Sequence, residues 1–201
     1  FIDKGSKIKI KNINFQGNKA LTDGNLRSAM SNTRRKFLGR FWKGSKYVDD
    51  KFKEDLVSIL DTYSRLGYRD SRILADSISW NEDNTINIDI TLEEGRQYIF
   101  GDIIYVGNKS YTDQQLNTLL KIEKGDVYNG SVLKERITGD GSPSSEDIQT
   151  LYQNSGYLFS SVNAVETKVV NDSITVEIRI REDEKATINK VSVLGNDKTN
   201  D

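Results

Sequence analysis

Catalysis needs a base, a nucleophile or a ligand set at fixed spacing, and this chain offers few residue types of that kind. Its 201 residues include no histidine and no cysteine. That removes imidazole and thiolate metal sites, thiol chemistry and histidine-activated nucleophiles together. Two carboxylate clusters remain, Glu93-Glu94 and Glu182-Asp183-Glu184. A calcium loop needs alternating Asp/Asn ligands around a turn glycine. Neither cluster has that pattern, so both are read as residues of joints between folded units. No glycine-rich stretch carries the Lys-Ser/Thr of a phosphate loop. No catalytic residue, metal site or cofactor is expected, and hence no enzyme.

The segment RRKFLGRFWKGSK (34–46) is the other cluster with a chemistry of its own. It holds six basic residues and no acid, with Phe37, Phe41 and Trp42 between them. Cations interleaved with aromatics bind single-stranded nucleic acid, anionic lipid headgroups or an acidic protein partner. The plainer alternative folds the aromatics onto the chain's own core and leaves the cations in water. Arg35, Arg40, Phe41 and Trp42 are the partner-docking candidates here. The net charge of −1 hides this asymmetry: residues 1–95 carry 17 Lys/Arg against 14 Asp/Glu, and residues 96–201 carry 12 against 16.

What positions these clusters is an internal repeat. IKIKNINFQGNKALTDGNL (8–26) aligns with YIFGDIIYVGNKSYTDQQL (98–116), and Gly17-Asn18 lies 90 residues before Gly107-Asn108. Later in each copy, Tyr63 with Gly67-Tyr68 matches Tyr152 with Gly156-Tyr157, and TINIDITLEEG (85–95) matches SITVEIRIRED (173–183). A third copy begins at TINKVSVLGND (187–197), with Gly195-Asn196. Four matched segments in one order identify a repeat architecture.

Each copy reads β-α-α-β-β. An apolar/polar alternation over Ile8 to Phe15 predicts a strand, ended by Gly-Asn, residues that tolerate positive φ. Thr22-Asp23 caps a short helix. A long helix follows, with Val48, Phe52, Leu56, Ile59, Leu60 and Tyr63 at helical spacing and Gly67 as its stop. A hairpin closes the copy, its second strand burying Ile86, Ile88, Ile90 and Leu92, or Ile174, Val176, Ile178 and Ile180. One apolar sheet face under two helices is a complete two-layer α+β fold. Boundaries fall at 1–95, 96–185 and a truncated 186–201, and short polar joints predict an elongated string. In the second copy, ITGDGSPSSED (137–147) interrupts the long helix, since glycines and Pro143 do not continue one.

No apolar run approaches the roughly 18 residues of a membrane helix. No basic-then-apolar leader opens the chain. It starts on repeat-like sequence and stops inside a motif, as expected of a segment excised from a longer protein.

The strand–Gly-Asn–helix opening, the Tyr…Gly-Tyr close of the long helix and the acidic joint resemble POTRA (polypeptide-transport-associated) domains over the whole chain. LLKIEKGDVYNGSVL (119–133) resembles the fourth such domain of an outer-membrane protein assembly factor. The first copy is similar to the third, and VLGNDKTND to the start of the fifth. The resemblance implies a periplasmic segment, peripheral to the outer membrane and continuous with a C-terminal β-barrel. It implies nascent outer-membrane proteins and accessory lipoproteins as partners, and no nucleic acid. A translocation-assembly or two-partner-secretion transporter, or a purely structural spacer, are the alternatives.

In that family the strand after the long helix lies at a sheet edge, open to β-augmentation by an extended peptide. Here that strand is Ser71 to Trp80 in the first copy, with Arg72, Ile73, Leu74, Ala75, Asp76 and Ser77 as contacts. In the second it is Phe159 to Lys168, with Ser160, Ser161, Val162, Asn163 and Ala164.

Overall fold

Strand β1 runs Lys9–Gln16. Its buried residues are Ile10, Ile13 and Phe15, a spacing that simple alternation does not produce. The partner register supplies the reason: it passes from Ile10–Ile86 to Asn12–Asn87, leaving Lys11 as an extra residue. This bulge shifts the alternation by one and returns the apolar side chains to one face. The computed structural model describes residues 8–34, 47–187 and 190.

Helix α1 (Asp23–Ala29) starts on a capping box. The Thr22 hydroxyl accepts from the Asn25 N–H, and the Asn25 side chain accepts from the Thr22 N–H. Helix α2 (Asp49–Arg65) buries Phe52, Ile59 and Tyr63. Strands β2 (Arg72–Trp80) and β3 (Thr85–Glu93) form a hairpin turning at Asn84, φ +56°. β3 runs parallel to β1 and antiparallel to β2, so the sheet order is β1-β3-β2. The central strand carries the densest core: Ile86, Ile88 and Ile90 are fully buried and Leu92 nearly so. Each such side chain contributes about 1.5–3 kcal/mol on burial. They pack with Ile10, Ile13, Phe15, Leu26, Met30, Phe52, Ile59 and Tyr63.

The second copy follows the same plan with β4 (Ile99–Val106), α3 (Asp113–Leu120), α4 (Gly130–Thr138), α5 (Ile148–Asn154), β5 (Ser161–Val170) and β6 (Ser173–Arg181). Its sheet order is β4-β6-β5, and Ile174, Val176, Ile178 and Ile180 are buried along the central strand. The fold is thus α+β, two three-stranded sheets each layered with helices. The interruption of the long helix is shorter than 137–147. Ile137 is buried within α4, and Asp147 caps α5 by accepting from the Thr150 N–H at 2.8 Å.

By contact density the chain divides into two compact units. One holds the described residues up to Gly101 with Lys124–Ser131 and Val169–Ile174; the other holds Asp102–Glu123, Val132–Lys168 and the described residues from Thr175.

A fully buried charge sits in the first core. Asp55 on α2 is fully buried, and helical periodicity alone does not predict it there. Its Oδ1 accepts from the Asn32 N–H and side-chain amide, both at 3.1 Å, and its Oδ2 from the Thr33 N–H at 2.5 Å. The carboxylate thereby ties the chain leaving α1 to α2. An amide replaces one acceptor with a donor, so Asp55→Asn is expected to lower stability by about 1–2 kcal/mol, measured by urea unfolding. An unchanged midpoint would refute that role.

Candidate functional site

The turns named from sequence share one geometry in both copies. Gly17 and Gly107 have φ of +93° and +92°, and a Cβ built on them would lie 1.9 Å from the Leu92 carbonyl oxygen and 2.0 Å from that of Ile180. Only glycine fits so close to a neighbouring strand. The asparagines act differently from the expectation, since neither has positive φ. Asn18 donates to the Leu21 carbonyl and Asp23, and Asn108 to the Tyr111 carbonyl and Asp113. Gly67 and Gly156 stop their helices at φ +86° and +95°. Tyr68 and Tyr157 stack edge-on against Tyr63 and Tyr152, with ring centroids 5.9 Å apart in each pair.

The carboxylates read as joint residues hold these turns. Glu94 accepts from the Lys19 N–H at 2.6 Å, the Ala20 N–H at 2.8 Å and the Tyr63 hydroxyl at 2.8 Å. Glu182 repeats the arrangement with the Ser110 N–H at 2.7 Å, the Ser110 hydroxyl at 2.9 Å and the Tyr152 hydroxyl at 3.1 Å. Burial pushes the Glu94 carboxyl up, but hydrogen bonds from Tyr63 and from the Lys19, Ala20 and Leu21 N–H groups outweigh it. The net direction is below the ordinary carboxylate value, and Glu182 behaves likewise through Ser110, Tyr152 and the Lys109 N–H. Burial, and then the bond to the carboxylate, raises both tyrosines. These groups build structure: each clamp joins the last strand, the long helix and the first turn of its copy.

The geometry suited to a partner lies on the outer strands. β2 pairs with β3 on one side, and among the described residues no strand pairs with its other side. Eight of its nine residues are exposed, Ile73 being half-buried against the core. Arg72 lies at the strand's start, bonded to Glu93 at 2.6 Å. The register slips between Ile73 and Ala75, so Leu74 bulges out. The regular stretch therefore begins at Ala75 and runs through Asp76 and Ser77 to Trp80. Ile78 and Trp80, absent from the sequence-derived contacts, are the exposed large apolar side chains on it.

β5 differs from its expectation. It begins two residues later than Phe159, because the Ser160 N–H closes a turn onto the Tyr157 carbonyl at 3.1 Å. Ser160 is buried and accepts from the Gln149 amide through its carbonyl and hydroxyl, and the Gln149 Oε1 accepts the Val162 N–H at 3.1 Å. Val162 is itself buried. Gln149 thus occupies the start of β5, Ser161 is half-buried, and only Asn163 and Ala164 of the five named contacts are exposed. Arg35, Arg40, Phe41 and Trp42 lie outside the described residues.

Sequence and structure comparisons match this arrangement to known proteins. The family described as POTRA, "Surface antigen variable number repeat", matches residues 8–95 and again 98–183. The chain is 29% identical over its whole length to the outer membrane protein assembly factor BamA of Neisseria meningitidis serogroup B, covering 24% of that protein. It is 22% identical, again over 100% of the chain, to a putative outer membrane protein assembly factor of Treponema pallidum, covering 23% of it. It therefore spans about a quarter of the curated relatives' length. Among solved structures, BamA POTRA3-5 of Haemophilus influenzae superposes on 94% of this chain and 74% of that one, with TM-score 0.59 and 20% identity. BamA of Haemophilus ducreyi lacking POTRA domains 1-3 superposes on 88% of this chain and 29% of that one, with TM-score 0.55 and 16% identity. Two family matches that between them cover nearly all the described residues, each on one copy of the repeat, make this chain a member of the POTRA family.

Proposed function

We propose that this chain is a non-enzymatic docking segment of an outer-membrane protein assembly factor. It takes extended segments of nascent outer-membrane proteins on the free edge of β2. The observation that carries the reading is that edge, which is unpaired among the described residues, regular from Ala75 and flanked by exposed Ile78 and Trp80. Backbone pairing reads conformation rather than side-chain identity, which suits clients of many sequences. Support for the setting comes from relatives named as assembly factors that match the whole chain. On this reading residues 1–95 and 96–185 are successive periplasmic modules and 186–201 begins another. The chain continues into a C-terminal β-barrel, and accessory lipoproteins are its other partners. Arg35, Arg40, Phe41 and Trp42 form a second docking surface. No helix of the described residues is long and apolar enough to cross a membrane.

Gln149 on the start of β5 favours a spacer role for the second module. Isotope-labelled titration with an extended outer-membrane-protein peptide separates the two roles. Amide shifts concentrated on β2 are expected, with little change over 160–163. A silent spectrum at millimolar peptide would leave only the spacer role.

A further inference from the structure

The outward row of β2 has a chemistry of its own. The Asn81 N–H donates to the Thr85 carbonyl at 2.9 Å, which marks this residue pair as a hydrogen-bonded one. Along an antiparallel ladder bonded pairs alternate, so Ser79–Asn87, Ser77–Asp89 and Ala75–Thr91 are bonded too. The N–H and C=O groups of Asp76, Ile78 and Trp80 consequently point away from β3. Their side chains share a face with their cross-strand neighbours Ile90, Ile88 and Ile86, all fully buried. Yet Ile78 is 38% and Trp80 64% exposed. The helix layer covers β3 and leaves these two bare.

Asp76 completes the row. Its charge acts on Tyr47 and on Lys53, and Lys53 already pairs with Asp49 at 2.6 Å. Asp49, Asp50 and Asp76 act together on that one lysine. An incoming strand thus meets two apolar positions and one acidic position, each two residues apart. On the opposite face it meets Ala75, Ser77 and Ser79, which offer no apolar contact of comparable size.

We infer that the β2 edge selects an amphipathic strand added antiparallel, one face of which reads apolar, apolar, basic at alternate residues from N to C. The inference rests on the reading of β2 as the docking edge. Residues directly opposite on one face approach to about 4.5–5.5 Å, so apolar residues facing Trp80 and Ile78 cover exposed surface while a cation faces Asp76. Strict alternation is also how a strand half in apolar surroundings is patterned, as in membrane β-barrels. The edge therefore selects the class of strand, while the backbone bonds leave the rest of the sequence free.

Three peptides test the selectivity by amide-shift titration of the whole chain, TVTVTKT, its alternation-broken isomer TVVTTKT, and TVTVTET, and a fourth, the reversed TKTVTVT, tests the strand direction. TVTVTKT is expected to shift the amides of Asp76, Ile78 and Trp80 and to bind about two- to fivefold more tightly than either of the others. In an Asp76→Lys chain the order of TVTVTKT and TVTVTET is expected to reverse. Equal binding of all three, with shifts on β2, would overturn the selectivity and leave the docking edge standing. Tighter binding of the reversed peptide TKTVTVT would overturn the antiparallel order. No β2 shift with any peptide at millimolar concentration would overturn both the inference and the reading under it.

Discussion

Replacing Gly17 by alanine is expected to lower the stability of the first module by about 2–5 kcal/mol. The left-handed backbone costs a residue with a Cβ roughly 1–2 kcal/mol, and forcing that atom into an occupied space roughly 1–3 kcal/mol more. Both apply here, with φ +93° and a Cβ position only 1.9 Å from the Leu92 carbonyl oxygen. The obstacle is the backbone of the adjacent core strand, which no side-chain rotation relieves. Against a typical domain stability of about 5–15 kcal/mol, much of the margin is gone. Gly107→Ala is expected to act the same way against Ile180. Gly141→Ala is the control: its φ is +79° but no atom lies within 4 Å of the added Cβ, so about 1 kcal/mol is expected. Urea unfolding of the three variants checks the ranking. A Gly17→Ala loss no larger than that of Gly141→Ala would show that the first turn and β3 do not approach as described.

Glu94→Ala ranks second, at about 2–4 kcal/mol. Removing the carboxylate leaves two backbone N–H groups and the Tyr63 hydroxyl without their acceptor, and an orphaned buried donor costs about 1–3 kcal/mol. Its neighbour Glu93 is exposed and pairs with Arg72, so Glu93→Ala is expected to cost less than about 1 kcal/mol. Two adjacent glutamates with unequal losses would identify the clamp; equal losses would refute it. The same groups set a pH dependence. Glu94 and Glu182 have ordinary values of 4.5 and are held lower in the fold. The unfolded chain therefore takes up protons first as pH falls. Their contribution is complete above about pH 4.5 and is lost as pH drops through the depressed folded values. Unfolding midpoints between pH 6 and 3 are expected to fall, and Glu94→Gln to flatten part of that fall.

The repeat, the element order and the buried row Ile86-Ile88-Ile90-Leu92 were all legible in the sequence, because periodicity records which face of a strand is apolar. Periodicity says nothing about where backbone groups find partners. The role of Glu94 is therefore invisible in an acidic joint, since its main-chain donors are N–H groups brought in from a turn about 75 residues away. Asp55 is hidden for the same reason: a charge on a helix reads as solvent-facing until Asn32 and Thr33 present their donors to it. The bulge at Lys11 was foreshadowed by the phase jump between Ile10 and Ile13. The strands named as edges lie at the edges of their sheets, but their open stretches differ from the expectation. Leu74 bulges β2 towards its C-terminal half, and Gln149, an unremarked helix residue, occupies the start of β5. Ile78 and Trp80 were missed because they lie on the core-facing side, where alternation predicts burial; only the limited reach of the helix layer exposes them.

Amide hydrogen exchange along β2 tests the central claim most directly. In the free chain, Ser77 and Ser79 are expected to be protected by β3 while Ile78 and Trp80 exchange rapidly from the open side. Addition of an unfolded outer-membrane β-barrel protein is expected to slow Ile78 and Trp80 selectively. If these two amides are already protected in the free chain, or stay fast under saturating client, β2 is not the docking edge and the account fails.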